Sequence, residues 1–360
     1  MKTHILKIFA IAGFMFMFIN WNISASDYRI LINLAGSWKF NLGDNMKWAD
    51  PAFNDKDWDK IHVPASWESQ GYVGYDGFAW YRKKVVIPGI IDNEMLFLCI
   101  KNVDDADEVY FNGELIGGLG KFPPSYETAY GWDRKYIIPS ALIKKDAENL
   151  IAVRVYDGGG DGGIVDNIGI FMDENEELLN LDLSGDWKFK LFNNKLWKNL
   201  DYNDSDWSVI KVPMTWESQG YFNHDGYAWY RKAFELPTDL VNKKLFLILG
   251  KIDDYDDVYL NGEEIGNASM LENHFHSFFH WGNNGYNSDY WLLRRVYEIP
   301  KKVIKTGKNT IAVRVYDFEG AGGIYEGPIG IMDQDNLNLY EERFHRDENP
   351  VQSFFDWLFD

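Results

Sequence analysis

The chain has 360 residues, enough for two domains of ordinary size. With 36 basic and 55 acidic residues its formal charge is −19, which opposes binding to nucleic acid or anionic membranes. A hydrophobic share of 46% and a charged share of 25% exclude a disordered chain, and the single cysteine, Cys99, excludes an internal disulfide framework. Fifteen Trp, 21 Tyr and 24 Phe beside 32 Gly predict many short strands joined by tight turns.

Lys2 and Lys7 precede an apolar run from Ile8 to Ile19 and the small residues Ser24-Ala25-Ser26. This is the pattern of a signal peptide over residues 1–25, and it predicts export to the periplasm, the cell surface or the medium. A retained N-terminal anchor is the alternative. No cysteine stands at the cleavage point to take a lipid.

From residue 27 onward one unit is written twice. Leu34-Ala35-Gly36-Ser37-Trp38-Lys39-Phe40 returns 149 residues later as Leu183-Ser184-Gly185-Asp186-Trp187-Lys188-Phe189. At the same offset Val63-Pro64-Ala65-Ser66-Trp67-Glu68 returns as Val212-Pro213-Met214-Thr215-Trp216-Glu217, and Ala79-Trp80-Tyr81-Arg82-Lys83 as Ala228-Trp229-Tyr230-Arg231-Lys232. Leu96–Ile100, containing Cys99, and Leu245–Leu249 have the length of buried strands, and the thiol reads as an inert core group. Asn112-Gly113 and Asn261-Gly262 sit in hairpins, where a primed turn needs positive φ at both central residues. Beyond them the offset grows to 160, so that Asn149–Asp157 matches Asn309–Asp317 and the second copy holds a longer loop. That loop carries His274, His276, His280, Trp281, Tyr286, Tyr290 and Trp291. The predicted modules are 27–173 and 181–333, joined by a short acidic connector and followed by a tail over 334–360. The tail, ending in Phe354-Phe355-Asp356-Trp357, reads as a segment folded back on a module or as a docking segment. No segment of either copy shows a sustained helical stripe, so the expected class is all-β, a pair of antiparallel sandwiches.

The ordered blocks Trp-Lys-Phe, Val-Pro-x-x-Trp-Glu, Ala-Trp-Tyr-Arg-Lys, Asp-Asp-x-Asp-x-Val-Tyr-x-Asn-Gly and Asn-x-Ile-Ala-Val-Arg-Val-Tyr-Asp resemble the galactose-binding-like jelly roll of glycoside hydrolase family two. Within that resemblance the chain is most similar to the accessory jelly roll of sialate O-acetylesterases. It covers Leu31–Asp173 and Leu181–Asp333. The resemblance implies two tandem jelly-roll β-sandwiches with a sugar-binding role. In those enzymes the chemistry belongs to a separate barrel or esterase domain, and nothing outside the repeats is long enough for a barrel of ~250 residues.

The candidate ligand-binding residues are Trp67, Glu68, Tyr72, Asp76 and Arg82 in the first copy. Trp216, Glu217, Tyr221, Asp225 and Arg231 are their counterparts, with Trp281 and Trp291 added by the long loop. Aromatic faces stack on sugar rings and carboxylates accept hydroxyl protons. Core packing and ion pairing are the competing readings. Glu68 and Glu217 are not read as a glycosidase pair, because each occupies the same place in its own module. Asp104, Asp105 and Asp107, with Asp253, Asp254, Asp256 and Asp257, bring enough oxygen to hold Ca²⁺, and Asp105, Asp107, Asp254 and Asp256 are the metal candidates. Otherwise one Asp pairs with Arg82 or Arg154 and the rest face water. The glycine runs Gly158–Gly163 and Gly320–Gly323 lack a following Gly-Lys-Ser/Thr and read as points of close backbone approach rather than phosphate loops.

The sequence therefore predicts an exported, non-catalytic carbohydrate-binding protein with a glycan ligand and no required cofactor. An accessory module for a separate glycan-degrading enzyme and an unrecognised glycan or acetyl-ester hydrolase are the rivals.

Overall fold

Alternating apolar and polar side chains commit each repeat to antiparallel strands with one face turned inward. The computed structural model describes residues 28–89, 95–270 and 290–348. In the first repeat these are β1 (Tyr28–Asn33), β2 (Gly36–Leu42), β3 (Asp59–Val63), β4 (Gly77–Val86), β5 (Leu96–Ile100), β6 (Val103–Asp104), β7 (Ala106–Phe111), β8 (Glu114–Leu119), β9 (Arg134–Ile138), β10 (Glu148–Asp157), β11 (Gly163–Ile164) and β12 (Ile168–Asp173). They form a four-stranded sheet, β1-β12-β5-β9, and a six-stranded sheet, β3-β2-β4-β10-β7-β8, while β6 and β11 pair by themselves.

The second repeat contributes β13 (Leu181–Asp182), β14 (Gly185–Leu191), β15 (Ser208–Val212), β16 (Gly226–Leu236), β17 (Leu245–Ile252), β18 (Tyr255–Leu260), β19 (Glu263–Asn267), β20 (Arg294–Ile299), β21 (Gly307–Asp317) and β22 (Ile324–Asp333). Its sheets, β13-β22-β17-β20 and β15-β14-β16-β21-β18-β19, repeat the first order strand for strand. Among the described residues the fold is all-β apart from short helical turns, including one at residues 268–270, and the helix α1 (Gln334–Glu348). No helix among the described residues is long and apolar enough to cross a membrane.

Inward side chains of both sheets share one core in each repeat. Trp38, Phe40, Trp67 and Tyr81 meet Leu96, Leu98, Tyr136 and Ile170 in the first. Trp187, Phe189, Trp216 and Tyr230 meet Leu247, Tyr297 and Ile331 in the second. The outer face of each six-stranded sheet carries a smaller aromatic layer, in which Trp80 stacks on Tyr110 at 5.5 Å and Trp229 on Tyr259 at 5.9 Å. The hairpin residues take the left-handed conformation their turns require, with φ of 50° at Asn112 and 53° at Asn261. Burial pushes the Cys99 thiol up to about 12, which keeps it protonated and unreactive.

Helix α1 lies against the second repeat, where Leu337 and Tyr340 cover Phe246, Ile248 and Met332. The first repeat is covered instead by the second. Met214 reaches the first core, and Lys135, stacked over Tyr28 and Phe97, donates to the Tyr325 carbonyl at 3.5 Å. Residues 1–25, the loop segment with His274, His276, His280, Trp281 and Tyr286, and the tail aromatics from Phe354 lie outside the described residues.

Two expectations follow. Trp80 and Trp229 are fully buried, so replacing either with Ala should cost roughly 3–5 kcal/mol in a denaturant titration, whereas a surface ring would cost almost nothing. In the connector, burial first, and then the charge of Asp173, pushes Glu176 up to about 8 from its ordinary 4.5, while its Oε2 accepts from Met95 N at 2.7 Å. Between those two values the folded state holds a proton that the unfolded state has released, so stability should fall as pH rises through the window. Melting temperatures of wild type and Glu176→Gln, compared from pH 4.5 to 8, should show a shallower decline in the variant.

Candidate functional site

The motif Val-Pro-x-x-Trp-Glu places Trp67 and Trp216 at the end of each core, and neither ring reaches solvent. Each is closed over by a glycine: a Cβ on Gly162 would lie 2.1 Å from Trp67 Cζ2, and one on Gly322 1.9 Å from Trp216 Cζ2. The glycine runs are thus the lids of these tryptophans. As sugar platforms Trp67 and Trp216 are overturned, because a ring without exposed area cannot stack on a ligand. Glu68 Oε2 accepts from Gly162 N at 2.9 Å and Glu217 Oε2 from Gly322 N at 3.0 Å, so each carboxylate pins the lid of its own repeat.

Arg82 and Arg231 also leave the list of ligand-binding candidates. Arg82 is buried, pairs through Nε with Asp55 Oδ2 at 2.8 Å, and donates to the carbonyls of Trp48, Asp50 and Phe53. Arg231 does the same with Asp204 at 2.7 Å and the carbonyls of Trp197 and Asn199. These guanidiniums satisfy loop carbonyls that would otherwise be buried unpaired. Tyr72 donates to Asp59 Oδ2 at 2.9 Å and packs on Phe40, and Tyr221 packs on Phe189. Asp76 and Asp225 are exposed, as is Trp291.

Of the metal candidates, Asp107 and Asp256 are already committed. Asp107 Oδ1 accepts from Arg134 Nε at 2.8 Å and its Oδ2 from Tyr136 Oη at 2.6 Å, all three groups being buried. Arg295 and Tyr297 hold Asp256 in the same way, at 2.8 and 2.5 Å. The partner is therefore Arg134, from the neighbouring sheet, and not Arg82 or Arg154. Arg154 turns outward to Asp44 and Glu108.

What the fold does gather is a carboxylate triad at the same end of each repeat: Asp104, Asp105 and Asp157, and their counterparts Asp253, Asp254 and Asp317. Asp157 and Asp317 end β10 and β21 and were missed, because they stand some 50 or more residues from their partners. Burial, then the adjacent Asp105, pushes Asp104 up to about 7. Asp105 is held below the usual range, against its burial, by hydrogen bonds from Thr128 and Tyr126. Burial and neighbouring charge push Asp253 and Asp317 to about 7 and Glu217 to about 8, Asp317 being a neighbour of both Asp253 and Glu217.

Beside the first triad lies an aromatic rim that the motifs did not mark. Tyr126, Tyr130 and Trp132 are 43%, 57% and 40% exposed on the loop before β9. Tyr126 leans on Tyr156, and the Arg154 guanidinium covers Phe78 and Phe122 at 4.6 and 4.3 Å. Tyr255, Trp291 and Phe318 are exposed in the second repeat. The only sequence signal for the first rim was its position, since it precedes β9 as the long loop precedes β20. A depression of about 470 Å³ beside Trp38, Lys39 and Lys83 is less suited to a sugar. Trp38 there is 1% exposed, and both lysine ammoniums are spent on backbone carbonyls.

No protein-family model matches the chain. A β-glucuronidase of Formosa agariphila is 36% identical over 94 residues, 22% of this chain and 10% of that protein. A β-galactosidase of Bacteroides ovatus is 28% identical over 130 residues, 33% of this chain and 14% of its own length. The chain thus spans about a tenth of the curated relatives it matches. Among solved structures, a β-glucuronidase of Bacteroides uniformis aligns over 80% of this chain and 28% of its own, at 17% identity and a TM-score of 0.36. A glycosyl hydrolase family 2 member from Bacteroides cellulosilyticus aligns over 79% and 31%, at 14% identity and 0.35. The sequence relatives that match part of this chain are named as glycosidases.

The buried Asp107–Arg134 pair carries a clear expectation. Arg134→Met strands a buried carboxylate and should destabilise the first repeat by about 3–5 kcal/mol in urea, while Asp107→Leu in the same chain should recover much of the loss.

Proposed function

We propose that the protein is an exported, non-catalytic carbohydrate-binding protein built from two jelly-roll β-sandwich modules of the galactose-binding-like kind. Supporting the architecture, each repeat closes a four-stranded and a six-stranded sheet on one core. Supporting the ligand class, the sequence relatives are named as glycosidases.

The observation that carries the reading is the rim of Tyr126, Tyr130 and Trp132. These are large rings left in solvent on the loop between β8 and β9, which is fixed at its end where Arg134 Nη1 donates to the Trp132 carbonyl at 2.5 Å. Exposed rings beside carboxylates offer a sugar both a stacking face and hydroxyl acceptors. Asp76, Asp225 and Trp291 remain as exposed members of the original set. Two modules on one chain would raise avidity for a polymeric glycan.

A glycan array that includes β-glucuronides and β-galactosides should return saturable binding. Tyr130→Ala combined with Trp132→Ala should weaken it by more than about tenfold, with little change in melting temperature because both rings are exposed. Unchanged binding in the double variant removes the rim from the site. Release of chromophore from a nitrophenyl glycoside or acetyl-ester panel would make the protein a hydrolase instead.

A further inference from the structure

Asp317 ends β21 with its side chain fully buried, yet neither carboxylate oxygen accepts a well-formed hydrogen bond among the described residues. Its carboxylate faces those of Asp253 and Asp254, the three offering oxygens within 4.8 Å of one another. Glu217, nearby and 4% exposed, also has an Oε1 buried without a partner, as Glu68 has in the first repeat, so the feature peculiar to the second copy is Asp317, with both oxygens unpartnered. The nearby guanidinium of Arg295 is already spent on Asp256 and on backbone carbonyls. Buried anions persist when they are paired or when they ligate a metal.

We propose that Asp253, Asp254 and Asp317 form a divalent-cation site of the calcium class at the end of the second repeat. Carboxylate oxygens from three residues, completed by water, match the six to eight hard oxygen ligands that Ca²⁺ takes. Asp254 is positioned for this by Phe318 N, which donates to its Oδ2 at 2.7 Å. The first repeat solves the same crowding differently. There the amide of Gly158 donates to Asp105 as that of Phe318 does to Asp254, but Tyr126 Oη and Thr128 Oγ1 add two hydroxyl donors that Asp254 lacks among the described residues.

The test is calorimetric titration of CaCl₂ into the full chain, freed of metal with EDTA and dialysed, together with melting curves. Wild type should bind saturably and melt higher with Ca²⁺. Asp317→Asn should weaken binding by more than about tenfold and abolish the Ca²⁺-dependent rise. Its melting point in EDTA should be no lower than that of wild type, since it removes a buried charge without a partner. Asp253→Asn should behave alike, which keeps the test valid if one variant folds poorly. The proposal is overturned if wild type shows no saturable Ca²⁺ binding, if both variants bind as wild type does, or if binding is lost in Asp104→Asn but kept in Asp317→Asn.

Discussion

The buried ion pair between Asp107 and Arg134, and its copy between Asp256 and Arg295, is the constraint on which each repeat depends. The aspartate belongs to the six-stranded sheet and the arginine to the four-stranded one, so the pair ties the two sheets together. Tyr136 and Tyr297 complete the carboxylates, while the remaining guanidinium hydrogens reach the carbonyls of Asp105 and Trp132, or of Asp254 and Leu293. A charge that has lost its water tolerates little displacement. The loop backbone that bears the aromatic rim and the carboxylate triads is thereby held by the same atoms that join the sheets. Side chains at the edge inherit their positions from an interaction in the core.

Much of this was legible because a repeat preserves spacing. The matched blocks located the strands, the Asn-Gly dipeptides located the hairpins, and the offset change located the altered loop. The all-β class followed from alternation without a helical stripe. What stayed hidden were pairings made across the fold. Nothing near Asp107 in the chain points to Arg134, and nothing near Asp104 points to Asp157, since both partners arrive from other strands. The tryptophans of the Trp-Glu motif misled for a related reason. An aromatic next to a carboxylate reads as a binding rim, but Gly162 and Gly322 close over the rings from a distant loop. The tail reads as a segment folded back on a module, and α1, which follows directly on β22, does lie on the second repeat through Leu337 and Tyr340.

The carboxylate triads show how a duplicated unit can keep its residues while the surroundings diverge. Both copies retain three acids at one end, and in the first copy two hydroxyls, from Tyr126 and Thr128, donate to the middle one, Asp105. Side-chain donors and a metal ion answer the same electrostatic demand, the need to bring positive charge density to oxygens that have lost water.

The outward face of the four-stranded sheet is covered in both repeats, by different means. In the first repeat that face, with Tyr28, Phe97 and Lys135, is met by residues Tyr325 and Gly327 of the second. In the second repeat the equivalent face, with Phe246 and Ile248, is met by Leu337 and Tyr340 of α1. The contact between repeats is head-to-tail, a kind that does not close on itself and can in principle propagate without limit. Stacked-repeat proteins end such a series with a unit whose outer side is polar. Here α1 lays Leu337 and Tyr340 over that face, so Phe246 and Ile248 are withheld from water by a helix rather than by another repeat.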